Sequence, residues 1–406
     1  MARRHEQQVE PETLDLIEIA SYARRRVNED KQIAVIGLGS AGSQHVVALS
    51  QMPGVEVIAG ADPRTGQALF GERVGEALAG PASTGSYFAD EGPMFAALGE
   101  RIDGVVVAAE APRMRPKATF LRSLGRPLAS LWERPVGLTP EEALEKSDLE
   151  GGVPGAGRIV TFNRFGMASI VHGLFSSGEL ELGDVLGFSA ATSLSIPAPD
   201  VKPWRWEHRC PAPIHLLDQV WDTLYYLGVP RVERVTAVMR EGVEGGDRFD
   251  QTWSLIAELE GGVVGTLQAL QYRSAQEFGL SVNHLTISGT RSTIELQGGV
   301  LRVIAADGTQ RTWGPDDLEI PPSLEPSVSA LRSYVVQEQG YPDGDPATMA
   351  AVKALVRADW AWIQELRGES LGAEMEMLGV ATEAGETIRP GVAAVESART
   401  GRPVRV

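Results

Sequence analysis

Over its first third the chain sets short, wholly apolar runs against stretches of helical periodicity. Beyond about residue 150 it changes to longer strand-like runs joined by glycine turns. In the first region Ile33–Ile36, Val55–Ala59 and Gly104–Ala109 read as strands buried on both faces, with Pro127–Trp132 as a fourth. Helical stretches such as His45–Gln51 and Ala118–Leu124 lie between them, the latter closed by Gly125. This alternation predicts a doubly wound parallel sheet whose ligands gather at the carboxyl ends of its strands. In the second region Val185–Ser193, Val232–Met239, Trp253–Glu260, Gly262–Tyr272, His284–Gly289, Ser292–Leu296 and Leu301–Ala305 read as strands. Glu260-Gly-Gly262 and Gln297-Gly-Gly299 read as hairpin connections. An antiparallel sheet follows, with one helix at about Leu216–Leu227 and two more near the C-terminus, Ala347–Leu366 and Pro390–Arg399. The last is opened by its proline.

The first apolar run ends in Gly37-x-Gly39-x-x-Gly42 and passes directly into a helical pattern. Gly37 permits a tight turn, Gly39 lets the backbone approach a pyrophosphate, and Gly42 lets the helix pack closely on its strand. The intervening Ser40 and Ala41 sit at the positive helix N-terminus. The second strand delivers an acid, Asp62, twenty residues after Gly42, where a carboxylate meets the ribose hydroxyls of a dinucleotide. Strand, triplet, helix, strand and acid in register predict a Rossmann domain. Asp62 favours NAD, since it repels a 2′-phosphate; Arg64, two residues on, leaves NADP as the alternative. The fold class is thus α/β plus α+β: an N-terminal Rossmann sheet and a C-terminal open antiparallel sheet domain. The expected domains are 1–30, an extension read as an amphipathic helix or a disordered leader; 31–150, dinucleotide binding; and 151–406, substrate binding and oligomerisation. The boundary falls in the glycine-rich loop 151–157.

Composition narrows the function classes. A formal net charge of −17 argues against nucleic acid as a partner. The single cysteine, Cys210, forms no internal disulfide and reads as a small buried group. No apolar run approaches a membrane span, and the start of the chain lacks the apolar core of a signal peptide, so the expectation is a cytoplasmic protein. No histidine or cysteine pair has metal-ligand spacing.

From Trp132-Glu133-Arg134-Pro135 onward the chain resembles the glucose–fructose oxidoreductase / inositol dehydrogenase / MocA family, in which a Glu-Lys-Pro turn joins a Rossmann domain to an open sheet. Phe162-Asn163-Arg164-Phe165 is similar to the family's strand after that linker. Phe175-Ser-Ser-Gly-Glu-Leu180 with Gly183-Asp-Val185 is similar to its helix-to-sheet connection, and Trp204-Arg205 to its substrate segment. Gly401-Arg-Pro-Val-Arg-Val406 is similar to its ending. The resemblance implies NAD(P)-dependent hydride transfer at a carbinol carbon of a sugar, cyclitol or related molecule. It places Glu133 with the cofactor and Asn163, Arg164, Trp204 and Arg205 with the substrate. A homo-oligomer paired through the open sheet is also implied.

The chain departs from that family at the reacting centre. Arg134 stands where the family has its catalytic lysine. An arginine stays charged, so it can polarise an oxygen but cannot serve as general base; alternatively it pairs with Glu133 or Asp218. The proton then falls to His215, Asp218 or Asp222. With Gln219 these residues are spaced i, i+3, i+4, i+7 and would share one face of a single helix. Arg113-Met-Arg115-Pro-Lys117, after the third strand, suggests an anionic group nearby or else a solvated loop. Two other readings remain open at the level of sequence: a cofactor-retaining epimerase or lyase without net redox, and a non-catalytic dinucleotide-binding protein.

Overall fold

The computed structural model describes residues 30–63, 74, 86–126, 128–144, 153–197, 211–244, 247–274, 281–369 and 377–406. The expected N-terminal helix, Arg64 and the Trp204-Arg205 segment lie outside them.

The first sheet contains β1 (Lys31–Ile36), β2 (Val55–Ala61), β3 (Ser86–Phe88), β4 (Gly104–Val107), β5 (Ala129–Trp132) and β6 (Arg158–Ile159). Its order is β15-β6-β5-β4-β1-β2-β3, where β15 (Gly379–Val380) returns from far along the chain. Every pairing is parallel except β15 on β6. Because the strands are buried on both faces, their sequences are continuously apolar. Ile33, Val35, Val106 and Leu131 face one layer, built from α1 (Ser40–Leu49), α9 (Glu325–Gln337) and α10 (Pro346–Leu366). Ala34, Ile36, Val105, Val107 and Trp132 face the other, which includes α2 (Glu91–Leu98) and α3 (Ala111–Ser123).

Shorter helices link the two sheets: α4 (Pro140–Leu144), α5 (Phe162–Phe165), α6 (Met167–Ser176), α7 (Ala212–His215) and α8 (Asp218–Tyr226). The second sheet holds β7 (Val185–Pro197), β8 (Val232–Glu244), β9 (Asp247–Leu259), β10 (Val264–Ser274), β11 (Ser281–Gly289), β12 (Ser292–Gln297), β13 (Val300–Ala305), β14 (Gln310–Trp313) and β16 (Val404–Arg405). Their order is β14-β13-β12-β11-β7-β10-β9-β8-β16, antiparallel apart from the β7–β10 pair. One face packs Phe188, Ala190, Val235, Leu255, Leu267, Leu285 and Ile287 onto Val171, Leu217, Val220, Trp221 and Leu224 from α6–α8, and onto Ala394 of α11 (Ala381–Thr400). The opposite face is mixed: Val238, Ile256 and Val264 are at least half exposed among Ser254, Thr266, Gln268 and the Arg234–Glu258 ion pair.

Three local expectations are corrected. Phe162–Phe165 is a short helix, not a strand; β6 ends at Ile159, and the Thr161 hydroxyl donates to the Met377 carbonyl. Pro390 lies inside α11, not at its start; the helix begins nine residues earlier, where the chain leaves β15. The Leu216–Leu227 helix is broken. Leu216 and Leu217 are buried in the core beneath the second sheet, and the chain restarts as α8 at Asp218. Helix α9 escaped the sequence reading although Leu324, Val328, Leu331 and Val335 carry its apolar stripe.

Candidate active site

The glycine loop has the geometry its spacing implied. Gly37 has φ +87°, and a Cβ there would lie 2.6 Å from the Ala108 carbonyl oxygen. A Cβ on Gly42 would lie 1.8 Å from the Gly37 carbonyl oxygen, so neither position accepts a side chain. Gly39 precedes the first turn of α1 in extended conformation, and no acidic residue occupies that turn. Asp62, at the end of β2, is buried and accepts from the Leu38 N–H at 2.9 Å, which fixes its carboxylate beside the loop.

Gly39, Ser40 and Ala41 open into a cleft of about 270 Å³. Its floor is Ala108–Ala111 and the Glu133-Arg134-Pro135 turn. Asn163, Thr192, His215, Gln219, Gln297 and Thr348 enter it from the second sheet, from the helices under that sheet and from α10. Asn163 donates to the Gln219 carbonyl at 3.4 Å, bracing α5 against α8.

Two buried polar clusters underlie this cleft. In the first, His45 on α1 bridges two carboxylates: Nδ1 is 2.7 Å from Asp359 on α10 and Nε2 is 3.0 Å from Glu133. Burial alone would lower the imidazole pKa, but Asp359 and then Glu133 outweigh it and raise it to about 10. The second oxygen of Glu133 accepts the Arg134 backbone N–H at 3.1 Å, so the cluster supports the turn. His45 and Asp359 went unnoticed in the sequence. The signal was a histidine in the first turns of a helix, directly followed by the buried run Val46–Leu49.

The second cluster consumes Arg134. Its Nε donates to the Val160 carbonyl at 3.2 Å, and Nη1 to Asp218 at 2.8 Å and to the Thr387 hydroxyl at 3.0 Å. Nη2 donates to Asp222 at 2.7 Å. Arg164 takes Asp222 from the other side through Nε (2.9 Å) and Nη2 (2.7 Å), and reaches Glu383 at 2.9 Å. Thr387 donates in turn to Asp218. Burial would raise the Asp222 pKa, yet Arg134 and Arg164 hold it below the ordinary carboxylate range. Asp218, with Arg134 as its cationic partner, is pushed up by burial.

The spacing placed His215, Asp218, Gln219 and Asp222 together, and the structure divides them. His215 and Gln219 line the cleft, joined by Thr223, whereas Asp218 and Asp222 point into the arginine cluster. His215 is the last residue of α7, and Leu216 and Leu217 separate it from α8. Arg113 and Arg115 lie exposed on α3 and do not line the cleft; Arg113 is 3.9 Å from Glu110. Among the described residues no group of three His, Cys, Asp or Glu is placed to hold a metal ion, and no helix is long and apolar enough to cross a membrane.

No family model matches the sequence, and no curated protein matches it. Solved structures do match, across both domains. Levoglucosan dehydrogenase, determined with NADH and levoglucosan, is 19% identical at a TM-score of 0.67 over 93% of this chain and 99% of that one. A myo-inositol dehydrogenase from Corynebacterium glutamicum is 18% identical at a TM-score of 0.61, over 93% and 98%. An oxidoreductase from Agrobacterium radiobacter, complexed with NAD+, L-tartaric acid and magnesium, is 15% identical at 0.65, over 93% and 98%. The chain has the fold of these dehydrogenases. The two-sheet architecture that the Glu133-Arg134-Pro135 turn implied is therefore observed, and the arginine cluster ties the turn after β5 to α5, α8 and α11.

Proposed function

We propose that the protein is an NAD-dependent oxidoreductase acting at a carbinol carbon of a small polyhydroxylated molecule. The observation that carries this reading is convergence: the glycine loop, the Glu133–Pro135 turn and the polar residues His215, Gln219 and Asn163 open into one cleft. The loop fits a dinucleotide because Gly37 and Gly42 leave its backbone bare and the N-terminus of α1 faces the cleft. Asp62 beside the loop favours a free ribose over a 2′-phosphate. Once bound, the nicotinamide ring would accept or supply the hydride. The fold neighbours crystallised with NAD+ or NADH support the same assignment.

We read Arg134 as a holding residue and not as the group that polarises the substrate, since its Nε, Nη1 and Nη2 all donate to protein acceptors. Its role is to hold Asp218 and Asp222 and so dock α8 against the turn. His215 remains as the group that takes the hydroxyl proton, with Gln219 and Asn163 orienting the ring. The second sheet's mixed outer face, with Val238, Ile256 and Val264 exposed, is the surface on which we place a second subunit.

Fluorescence titration with NADH and NADPH, on wild type and on Asp62→Ala, tests the assignment. NADH binding tighter than NADPH binding, with that preference lost in the variant, is the expected result. Failure to bind either cofactor overturns the oxidoreductase reading.

A further inference from the structure

Among the described residues only Glu110, Glu133 and Arg134 bring formal charge to the wall of the cleft. Glu133 is committed to His45 and to the Arg134 backbone, and Arg134 to Asp218, Asp222, Thr387 and Val160. Among the described residues an anionic substrate would therefore meet two carboxylates and one cation, Arg134, whose guanidinium is already held by Asp218 and Asp222. One wall is also largely apolar. Ala347, Ala350, Ala351 and Ala354 recur at spacings of three and four on α10, a row of side chains that end at Cβ, flanked by Thr348, Val352 and Leu355. Leu331 and Val335 of α9, together with Phe162, Met167, Leu296 and Leu355, complete the apolar lining. Alanine is the best helix former and could be there for α10 alone. Ala347 and Ala351, however, stay partly exposed to the cleft, where larger residues would have closed it.

We infer that the cleft takes an uncharged ring alcohol bearing an apolar aryl or alkyl group, with the hydroxyls held by Asn163, His215 and Gln219 and the apolar group against the alanine face of α10. This inference rests on the oxidoreductase reading and adds the substrate class to it. Water leaves the alanine face when such a group enters, which favours the substituted ring over the bare one.

The test uses full-length protein loaded with NADH. Its fluorescence is titrated with matched methyl and phenyl glycosides of glucose, galactose and mannose, and with the 6-phosphates of the same sugars. The expected result is that, for at least one ring, the phenyl glycoside binds roughly tenfold to a hundredfold more tightly than the methyl glycoside. The sugar phosphates should bind more weakly than either. Ala351→Leu should reduce the phenyl-to-methyl ratio toward one. Tighter binding of a phosphate, no phenyl glycoside binding, or a ratio unmoved by Ala351→Leu overturns the inference while NADH binding leaves the oxidoreductase reading intact. Absence of NADH binding overturns both.

Discussion

His215, Gln219 and Thr223 line the cleft, whereas Asp218 and Asp222, each one residue before a cleft residue, are buried against Arg134 and Arg164. The same short stretch of chain thus carries two polar surfaces of opposite character. The cleft side is uncharged and partly open; the far side is closed and paired with arginines, and it ties α8 to the turn after β5 and to α5. The difference teaches that formal charge near a reacting centre is not by itself evidence of chemistry, since a buried carboxylate held by two arginines is fixed in place. On the proposed function, the proton falls to the residue on the uncharged side, His215, which lines the cleft.

This division can be broken from either side. The largest expected effect is on turnover. His215→Gln should lower kcat by roughly two to four powers of ten while NADH affinity stays within about twofold. Equal loss in an Asp218→Asn variant that remains folded and binds NADH would put the proton on the other face. Next is stability. Asp222→Ala leaves Arg134 and Arg164 buried without their shared acceptor and should cost about 3–5 kcal/mol in denaturant unfolding; a cost below about 1 kcal/mol would show that the cluster is not what holds α8.

The most gradual effect is a pH dependence in the His45 cluster. Its folded-state pKa, about 10, lies above the free value of 6.5. Its stabilisation is therefore complete below pH 6.5 and is lost as pH rises toward 10. Over that interval the wild type should lose up to about 1.4 kcal/mol per pH unit from this group, a slope His45→Gln should abolish. An unchanged alkaline limb in the variant would remove the cluster as its source.

Much of the fold was legible because its signals are local. The glycine triplet, the continuous apolar runs of β1 and β4 and the glycine-closed turns need only nearby sequence. The site was legible in composition and not in arrangement. Arg134 and Asp218 stand 84 residues apart, Arg134 and Thr387 253 apart, and His45 and Asp359 314 apart. No periodicity connects such positions. The broken helix at Leu216–Leu217 shows the same limit. Helical spacing put four side chains on one face; the cleft takes His215 and Gln219, while Arg134 takes Asp218 and Asp222 from the adjacent row.

The two-residue strand β15 has a consequence for how the molecule is made. Gly379 and Val380 form the edge of the first sheet beside β6, and α10 covers the layer that carries Ile33 and Val35. A ribosome that has delivered the whole nucleotide-binding motif has therefore delivered only part of the domain that houses it. The outer edge of β6 waits unpaired until more than two hundred further residues have emerged. Chains halted before residue 380 would expose that strand edge and bare apolar helix layers, the kind of surface that chaperones and aggregates capture.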